Sequence, residues 1–399
     1  MNLADVISAA VYKQLVNVDL PKRGSNQHEI NGVVALRQFF GTGEVTRGTI
    51  TWHRLADNEE PVREVSDFTF YDARAKHPSR TEWRLYYVGD FLHRADDGDV
   101  LVLIRTAASV PEIHGLVLQK SSAWLRAAER LFVVSSLNPA NFELLSRKEL
   151  SSTELGIVGQ QVLEELGVED VLLPTSDQDA SLVYRTFKRT FPTTRVMSRF
   201  ARQHTVGVDV ANADDTLVKW LQREEQLFRA LERILVEEQV RKGFASVDEF
   251  VAFSLSVQNR RKSRMGYSLQ NNLAALFDAN RVQYEPQAVT EGKNRPDFLF
   301  PSAKAYHNEK VDSQLLVMLG AKSTLKDRWR QILTEANRIR TKHLCTLEAA
   351  ISRDQITEMT TRHVQLVIPE AFRETYPPVQ RREVWSLKAF IEFVKRKQN

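Results

Sequence analysis

The sequence predicts two parts of different fold class: a mainly β N-terminal domain over residues 1–170 and an α/β C-terminal domain over residues 214–399. Short runs of β-branched and aromatic residues, separated by turn residues, dominate the first part. Long amphipathic stretches begin near Asp215, and strand-like runs alternate with helical ones later in the chain. Residues 171–213 between them are only weakly periodic, which predicts a linker containing one helix.

The composition is that of a folded protein. The chain has 399 residues, of which 42% are hydrophobic and 27% charged, enough for two or three domains. No apolar run approaches the ~18 residues that a membrane span needs. The first residues lack the basic region of a signal peptide. Cys345 is the single cysteine and cannot form an internal disulfide, so the sequence predicts a cytoplasmic protein that is not attached to a membrane.

The charge is divided unevenly along the chain. Residues 216–399 hold 31 Lys and Arg against 22 Asp and Glu, whereas residues 1–215 hold 24 against 29. A basic C-terminal half suggests a polyanionic partner. The charge alone is equally consistent with basic side chains that only solvate a surface.

The N-terminal part contains runs typical of strands, which predict strands over residues 43–55, 68–78, 83–89 and 99–107. Helical spacing of Leu125, Ala128, Leu131 and Phe132 predicts a helix over residues 121–134.

The C-terminal part begins with helical patterns, over residues 216–240, 246–264 and 268–280. Strand candidates follow over residues 282–290, 296–302, 315–323 and 364–369. Two further helices are predicted, over residues 327–340 and 385–397.

Three groups with catalytic chemistry follow one another in this part. Asp297 opens a predicted strand after Pro296, Lys322 ends the next strand, and Glu335 lies on the following predicted helix. Carboxylates that converge at a sheet edge can bind Mg²⁺, and a lysine beside them can stabilise charge that develops on a phosphodiester. Such spacing is common by chance, so it leaves structural roles open for Lys322 and Glu335.

The residues around Lys322 resemble a known family. The run Lys322-x₃-Lys326-Asp327-Arg328-Trp-Arg-Gln-Ile-Leu, with VQNRRKSRMGYSLQ and QAVTEGKNRPDFLFPSAKAYH before it, is similar to the catalytic domain of EcoRII-type restriction endonucleases. The resemblance covers about residues 235–395 and implies the PD-(D/E)xK restriction-endonuclease-like fold. It also implies that the second acid has moved from the strand, where Gly320 stands, to Glu335.

The resemblance implies a role for each matching residue. Asp297 and Glu335 match the metal-binding acids and Lys322 the catalytic lysine, while Tyr306 and Arg261 match further active-site positions. Mg²⁺ is the implied cofactor, and no nucleotide cofactor is expected.

The cluster Lys326, Asp327 and Arg328 matches the residues that read C:G pairs, which implies a CCGG-like or CC-spacer-GG target. Lys or Arg can contact guanine O6 and N7, and Asp can accept a hydrogen bond from cytosine N4. The alternative is a charged first turn of a helix. One departure stands out, because Gln270 occupies the place of a usual glutamate and cannot be an anionic ligand.

The N-terminal part resembles the effector-binding domain of the same family, a B3-like DNA-binding pseudobarrel. Residues 25–32 and 80–84 carry this likeness and imply two DNA-contacting arms. The implied contact residues are Lys22, Arg23, Ser25, Asn26 and His28 in the first arm, and Arg80, Glu82 and Arg84 in the second. These segments could instead be solvated loops of an unrelated β domain.

Together these features suggest a homodimeric type II restriction endonuclease that cuts double-stranded DNA to leave 5′-phosphates. The charge division adds the hypothesis that the acidic N-terminal domain covers the basic cleft until it binds a second DNA site. Two alternatives stay open: an endonuclease that requires methylcytosine, and a non-catalytic DNA-binding regulator.

Overall fold

The computed structural model describes residues 2–21, 28–41, 45–57, 59–108, 110–132, 134, 137, 141–152, 155–168 and 176–399, without the side chains of residues 165, 262 and 326–328. The chain divides into two compact units, Met1–Pro174 with Ala350–Ser352, and Thr175–Ala349 with Arg353–Asn399.

The N-terminal unit contains one large sheet and short helices. Its strands are β1 (Ile7–Gln14), β2 (Glu29–Asn31), β3 (Thr46–Leu55), β4 (Val62–Asp72), β5 (Trp83–Tyr87), β6 (Val100–Thr106), β7 (Ile113–Leu118) and β8 (Glu143–Leu145). Its α-helices are α1 (Val34–Phe40), α2 (Ala123–Leu131), α3 (Arg147–Ser152) and α4 (Ile157–Glu165), with 3-10 helices at Leu3–Asp5 and Phe91–Arg94. The sheet order is β2-β5-β4-β3-β7-β6-β1-β8.

Aromatic side chains fill the core of this sheet. Trp52 on β3 and Phe70 on β4 are fully buried, and Trp52 stacks on Phe91 with ring centroids 5.6 Å apart. β3 pairs in parallel with β7, which sets Gly115 opposite Trp52. A Cβ at Gly115 would lie 2.3 Å from Trp52 Cε3, so only glycine leaves room for the indole. The predicted mainly β class is confirmed, whereas the B3-like pseudobarrel stays a prediction.

The C-terminal unit combines helices with a smaller sheet. Its α-helices are α5 (Asp177–Phe187), α6 (Thr194–Gln203), α7 (Ala213–Lys242), α8 (Val247–Ala279), α9 (Ala303–His307), α10 (Arg353–Thr361), α11 (Glu370–Arg373), α12 (Pro378–Arg381) and α13 (Leu387–Gln398). Its strands are β9 (Glu285–Pro286), β10 (Phe298–Phe300), β11 (Val317–Lys322), β12 (Lys342–Thr346) and β13 (Val364–Val367), with 3-10 helices at Ser313–Leu315 and Lys326–Thr334.

The smaller sheet has the order β13-β12-β11-β10-β9 and is mixed. β10 runs antiparallel to β9 and β11, while β11, β12 and β13 are parallel. The predicted α/β class of this part is therefore confirmed. Among the helices that the structure describes, none combines the length and apolar composition that a bilayer span requires.

The structure differs from the sequence prediction between the two parts. The described residues 176–213 contain two helices, α5 and α6, where a linker with one helix was expected. Ser176 and Thr193 cap them by accepting hydrogen bonds from the amides of Asp179 and Val196. Both helices pack on α7 through one apolar cluster, which includes Val183, Met197, Phe200, Leu227 and Leu231.

Three further differences lie nearer the sheet. The two helices predicted over residues 246–264 and 268–280 form one continuous helix, α8. The helix predicted over residues 327–340 is a 3-10 helix that ends at Thr334. β12 was not predicted. All five of its residues are buried, but the strand is short and begins with a charged residue, so the sequence does not have the pattern of a strand.

Candidate active site

The antiparallel pairing of β10 and β11 brings Asp297 to Lys322. Phe298 pairs with Leu319, so the residue before β10 lies beside the end of β11. The Ala321 amide donates to Asp297 Oδ2 at 2.7 Å, and Lys322 Nζ lies 3.2 Å from the same oxygen. Asp297 is 7% exposed, so this ion pair lies at the edge of the core.

Two glutamines hold the other oxygen of Asp297. Gln270 Nε2 from α8 and Gln287 Nε2 each donate to Asp297 Oδ1 at 2.8 Å. The backbone amide of Gln287 also donates to the Asp297 carbonyl at 3.2 Å. Each carboxylate oxygen therefore has two donors, which fixes the orientation of the side chain. Gln287 was not predicted, because a single glutamine ten residues before an aspartate forms no recognisable motif.

A side chain at Gly320 would be crowded by its neighbours. A Cβ there would lie 3.0 Å from Ile332 Cγ2 and 3.3 Å from Leu344 Cδ1. Ile332 belongs to the 3-10 helix that leads the chain to Glu335. The segment that supplies Glu335 thus fills the space into which a side chain at Gly320 would project.

Glu335 follows the 3-10 helix with an extended backbone, φ −87° and ψ 143°. The sequence placed this residue on a helix, and the early end of the helix corrects that prediction. Burial, and after it the negative charge of Asp297, raise the pKa of Glu335 to about 7 against the opposing charges of Lys322 and Lys342. The two carboxylates are therefore close enough to repel each other.

This pair of acids fits a divalent cation. Carboxylate oxygens are the ligands that Mg²⁺ prefers, and a cation between Asp297 and Glu335 would relieve their repulsion. Gln270 adds a neutral side-chain oxygen beside them. Among the described residues, no group of three or more His, Cys, Asp and Glu side chains forms a metal-binding cluster.

Lys342 is a buried lysine near Glu335 that sequence reasoning missed. It is 5% exposed, and burial lowers its pKa to about 8 against the charges of Glu291 and Glu335. Its Nζ donates to the carbonyls of Ala336 and Ile339, each at 2.6 Å. Its place at the start of an unpredicted strand gave no signal of this role.

Tyr306 lies on α9 and is 1% exposed. Its hydroxyl donates to Glu291 and accepts from the amide of Arg338 at 3.2 Å. Burial raises the pKa of Tyr306 to about 12, with the bond to Glu291 adding to the effect. These contacts connect Tyr306 to the segment after Glu335, and its direct part in catalysis stays a prediction.

Arg261 takes part in a contact between helices. Its Nε donates to Glu232 of α7 at 2.9 Å. Nine residues separate it from Gln270, about 14 Å along α8. Arg261 thus contacts α7. Among the described residues, Asp297, Lys322 and Glu335 lie together without a contact from Arg261. Its active-site role stays a prediction.

The predicted base-reading side chains of Lys326, Asp327 and Arg328 lie outside the described residues. Their backbone forms the first turn of the 3-10 helix. The preceding amide, that of Leu325, donates to the Glu348 carboxylate. This contact attaches the start of the 3-10 helix to the chain beyond β12.

The predicted first arm of the N-terminal unit is only partly described. Lys22, Arg23, Ser25 and Asn26 lie outside the described residues. His28 is half-buried, and its ring lies edge-on to those of Tyr87 and His93 at 5.7 and 5.8 Å.

The predicted second arm contains an ion-pair network. Arg84 bonds to Glu82 and to Glu29, and Arg74 bonds to Glu82. These bonds lower the pKa of Glu82 and raise that of Arg84. Arg80 is exposed, and its backbone amide donates to His77 Nδ1 at 3.1 Å.

The part of the chain that contains this site is similar to known proteins. Residues 228–391, which include Asp297, Lys322 and Glu335, match the family model described as EcoRII C terminal. This part of the chain resembles EcoRII. The type II restriction enzyme EcoRII of Escherichia coli is 43% identical over 202 residues. The match covers 50% of this chain, and the chain spans about half the length of that relative.

Two solved structures are also similar. Metal-depleted Ecl18kI in complex with uncleaved, modified DNA has a TM-score of 0.44 and 18% identity, over 55% of this chain and 83% of that chain. The restriction endonuclease PspGI in complex with substrate DNA has a TM-score of 0.41 and 12% identity, over 56% of this chain and 93% of that chain.

Proposed function

We propose that this chain is a type II restriction endonuclease, which makes site-specific double-strand breaks in DNA. The observation that carries the proposal is the meeting of Asp297, Lys322 and Glu335 at the end of β11. The EcoRII-like sequence of residues 228–391 supports it. The C-terminal unit then has the PD-(D/E)xK fold, with its second acid supplied by Glu335.

Each residue of the site has a separate role in the proposed phosphodiester hydrolysis. Asp297 and Glu335 would hold Mg²⁺, and Lys322 would stabilise the negative charge that builds on the phosphate oxygens. When bound, the metal would supply Lewis-acid stabilisation and make a water more acidic. The attacking water would give up a proton to solvent as its oxygen bonds to phosphorus and the bond from phosphorus to the 3′ oxygen breaks. The 3′ oxygen would take up a proton from solvent, and the phosphate would stay on the 5′ end.

Base recognition is proposed for Lys326, Asp327 and Arg328 at the start of the 3-10 helix. Lys or Arg matches guanine O6 and N7, and Asp matches cytosine N4, which fits a CCGG-like or CC-spacer-GG site. Arg328→Ala should weaken cleavage of the cognate site by about tenfold or more and relax the choice of base at one position. Sequencing of the cleaved ends from a randomised DNA library measures both effects.

A second DNA-binding role is proposed for the N-terminal unit, as a B3-like effector domain. Arg80 and Glu82 lie just before β5, and Arg84 lies on it. Arg80 is exposed and Glu82 pairs with Arg84, so these side chains could approach a groove of DNA. The acidic balance of residues 1–215 supports an autoinhibitory role toward the basic half. Removal of residues 1–175 should then raise cleavage of DNA with a single site. An unchanged or lower rate would contradict autoinhibition.

A homodimer is proposed because each active site cuts one strand, so a two-fold target needs two copies. The first half of α8 supplies a surface for the contact. Val247, Val251 and Leu255 lie at intervals of four residues and are 77%, 45% and 52% exposed, with Phe250 beside them at 50%.

The experiment that tests the proposed function compares two plasmid preparations, unmethylated and cytosine-methylated, in the presence of Mg²⁺. Discrete fragments from the unmethylated DNA alone would support a conventional restriction endonuclease. Fragments from methylated DNA alone would favour an endonuclease that requires methylcytosine. A gel shift without cleavage of either preparation would contradict the proposal and favour a DNA-binding regulator.

A further inference from the structure

We propose that Glu291 is a positioning residue for Glu335, within a loop that holds the backbone on both sides of this carboxylate. The loop is Thr290–Asn294, and it is called the clamp loop below. The inference rests on the proposed function, because it assigns to Glu291 the placement of the second metal-binding acid relative to Asp297.

The clamp loop bonds to the residue before Glu335 and to the second residue after it. On one side, Asn294 Nδ2 donates to the Thr334 carbonyl at 2.8 Å. On the other side, the Asn337 amide donates to Glu291 Oε2 at 3.1 Å. The Glu335 side chain is left to face the site while its flanking backbone is fixed.

The backbone after Glu335 needs this support. Ala336 has a φ of +50°, a left-handed conformation that costs a residue with a Cβ roughly 1–2 kcal/mol. Thr290 Oγ1 accepts from the Ala336 amide at 3.4 Å, and Lys342 Nζ donates to the Ala336 carbonyl at 2.6 Å. Without these bonds the turn can relax to a negative φ, which redirects the Glu335 side chain.

Glu291 is itself held in place by a second hydrogen bond. Its other carboxylate oxygen accepts from the buried Tyr306 hydroxyl. Arg338 then ties the turn to the chain around α9, because its amide donates to the Tyr306 hydroxyl and its guanidinium donates to the carbonyls of Asn308 and Val311 at 3.2 and 2.9 Å. Glu291 thus joins a rigid support to the segment that carries Glu335.

The same stretch of chain also fixes Asp297. Gln287, three residues before the clamp loop, bonds to Asp297 through its backbone amide and its side chain. One segment of the chain therefore constrains both carboxylates, which sets the separation between them. Supports of this kind around metal ligands are worth about 10–100-fold in metal affinity.

The test compares Glu291→Ala with Glu149→Ala, a matched control in which a carboxylate that accepts a backbone hydrogen bond from Ser146 is removed far from the site in sequence. Calorimetric titration of each protein with Mn²⁺ alone measures metal affinity. Mg²⁺ titration of plasmid cleavage then separates the metal requirement from the maximal rate. Circular dichroism confirms that each variant is folded.

Glu291→Ala should weaken Mn²⁺ binding by about tenfold or more and raise the Mg²⁺ concentration for half-maximal cleavage by a similar factor. Glu149→Ala should leave both unchanged, and Glu291→Gln should recover part of the affinity because its carbonyl can still accept one bond. Asn294→Ala removes only the bond to Thr334 and should give a smaller shift in the same direction, which serves if Glu291→Ala does not fold.

Unchanged Mn²⁺ affinity in folded Glu291→Ala or Asn294→Ala would overturn the inference. Failure of the proposed function has a different signature. In that case the wild-type protein cleaves neither plasmid preparation, whatever the metal affinities of the variants.

Discussion

At the scale of single residues, the side-chain amides of two glutamines contact Asp297, and one of these glutamines, Gln270, occupies a position where the resemblance led us to expect a glutamate. Gln270 and Gln287 both donate to Asp297 Oδ1, so they stabilise the ionised carboxylate and add no charge. A neutral Gln270 is therefore compatible with a site in which Asp297 and Glu335 supply the anionic ligands. Because Gln270 is neutral, the site has less negative charge to attract a metal than it would have with a glutamate at this position.

Replacement of Gln270 by glutamate should make the site more dependent on metal. The new carboxylate loses its bond to Asp297 and repels it, which should lower the free energy of unfolding without metal by about 1–3 kcal/mol. With Mg²⁺ the extra charge becomes a ligand, so the metal-induced rise in Tm should exceed that of the wild type. Thermal unfolding in EDTA and in Mg²⁺ measures both, and equal metal-induced shifts in the two proteins would contradict the prediction.

His343 should make stability depend on pH. It is 2% exposed among the rings of Trp385, Phe390 and Phe393, and burial lowers its pKa to about 4. The unfolded chain binds a proton near pH 6.5, which the folded chain does not bind until about pH 4. Its contribution to stability is thus fully present above about pH 6.5 and is lost as the pH falls toward 4.

The loss from His343 should reach about 2 kcal/mol at pH 5. Urea unfolding at pH 7.5 and pH 5 measures it, and His343→Phe should remove this part of the pH dependence while keeping an aromatic ring in place. If the wild type and His343→Phe lost the same stability between the two pH values, the assignment to His343 would be wrong.

The sequence predicted the residues that meet in the candidate site better than the residues that support them. Asp297, Lys322 and Glu335 were found by their order along the chain and by resemblance to a family. Glu291 and Lys342 were not, because they act through hydrogen bonds to backbone groups, that of Asn337 for Glu291 and those of Ala336 and Ile339 for Lys342. Such bonds require no particular spacing and appear only when the chain is folded.

At the scale of elements, helices with strong hydrophobic periodicity were predicted well, whereas short helices and strands were not. The patterns behind α7 and α13 run for several turns, so their positions were recognised. α5 and α6 have 11 and 10 residues, and much of their surface is polar. β12 begins with Lys342, whose charged group is buried by bonds to the carbonyls of Ala336 and Ile339, so the hydropathy of the sequence gave no sign of a strand.

The position of α5 and α6 predicts where the C-terminal unit must begin. A fragment of residues 176–399 retains both helices and the apolar cluster that they form with α7. A fragment of residues 214–399 loses Val183, Met197 and Phe200 and exposes the face of α7 that they cover. The loss of three such side chains should cost at least about 3 kcal/mol.

Urea unfolding of the two fragments checks this boundary. The longer fragment should unfold cooperatively, and the shorter one should be less stable or aggregate. Equal stability of the two fragments would show that residues 176–213 are a dispensable linker after all.

At the scale of the whole molecule, the exposed face of α8 should control assembly. Val251→Glu with Leu255→Glu places two acids in the proposed contact and should convert a dimer into monomers. Val196→Glu with Val379→Glu is a matched control, because these valines are 47% and 60% exposed on other helices. Sedimentation equilibrium measures the masses. A monomeric wild type, or a dimer that survives the α8 substitutions, would contradict this surface.

The most direct test of the account is cleavage of unmethylated plasmid DNA in Mg²⁺ by the wild type, by Lys322→Ala and by Lys310→Ala, in which an exposed lysine is removed. We predict discrete fragments from the wild type and from Lys310→Ala. Lys322→Ala should cleave at least about a hundredfold more slowly while it still binds the DNA. Equal cleavage by Lys322→Ala, or no cleavage by any of the three proteins, would contradict the claim that Asp297, Lys322 and Glu335 form a nuclease site.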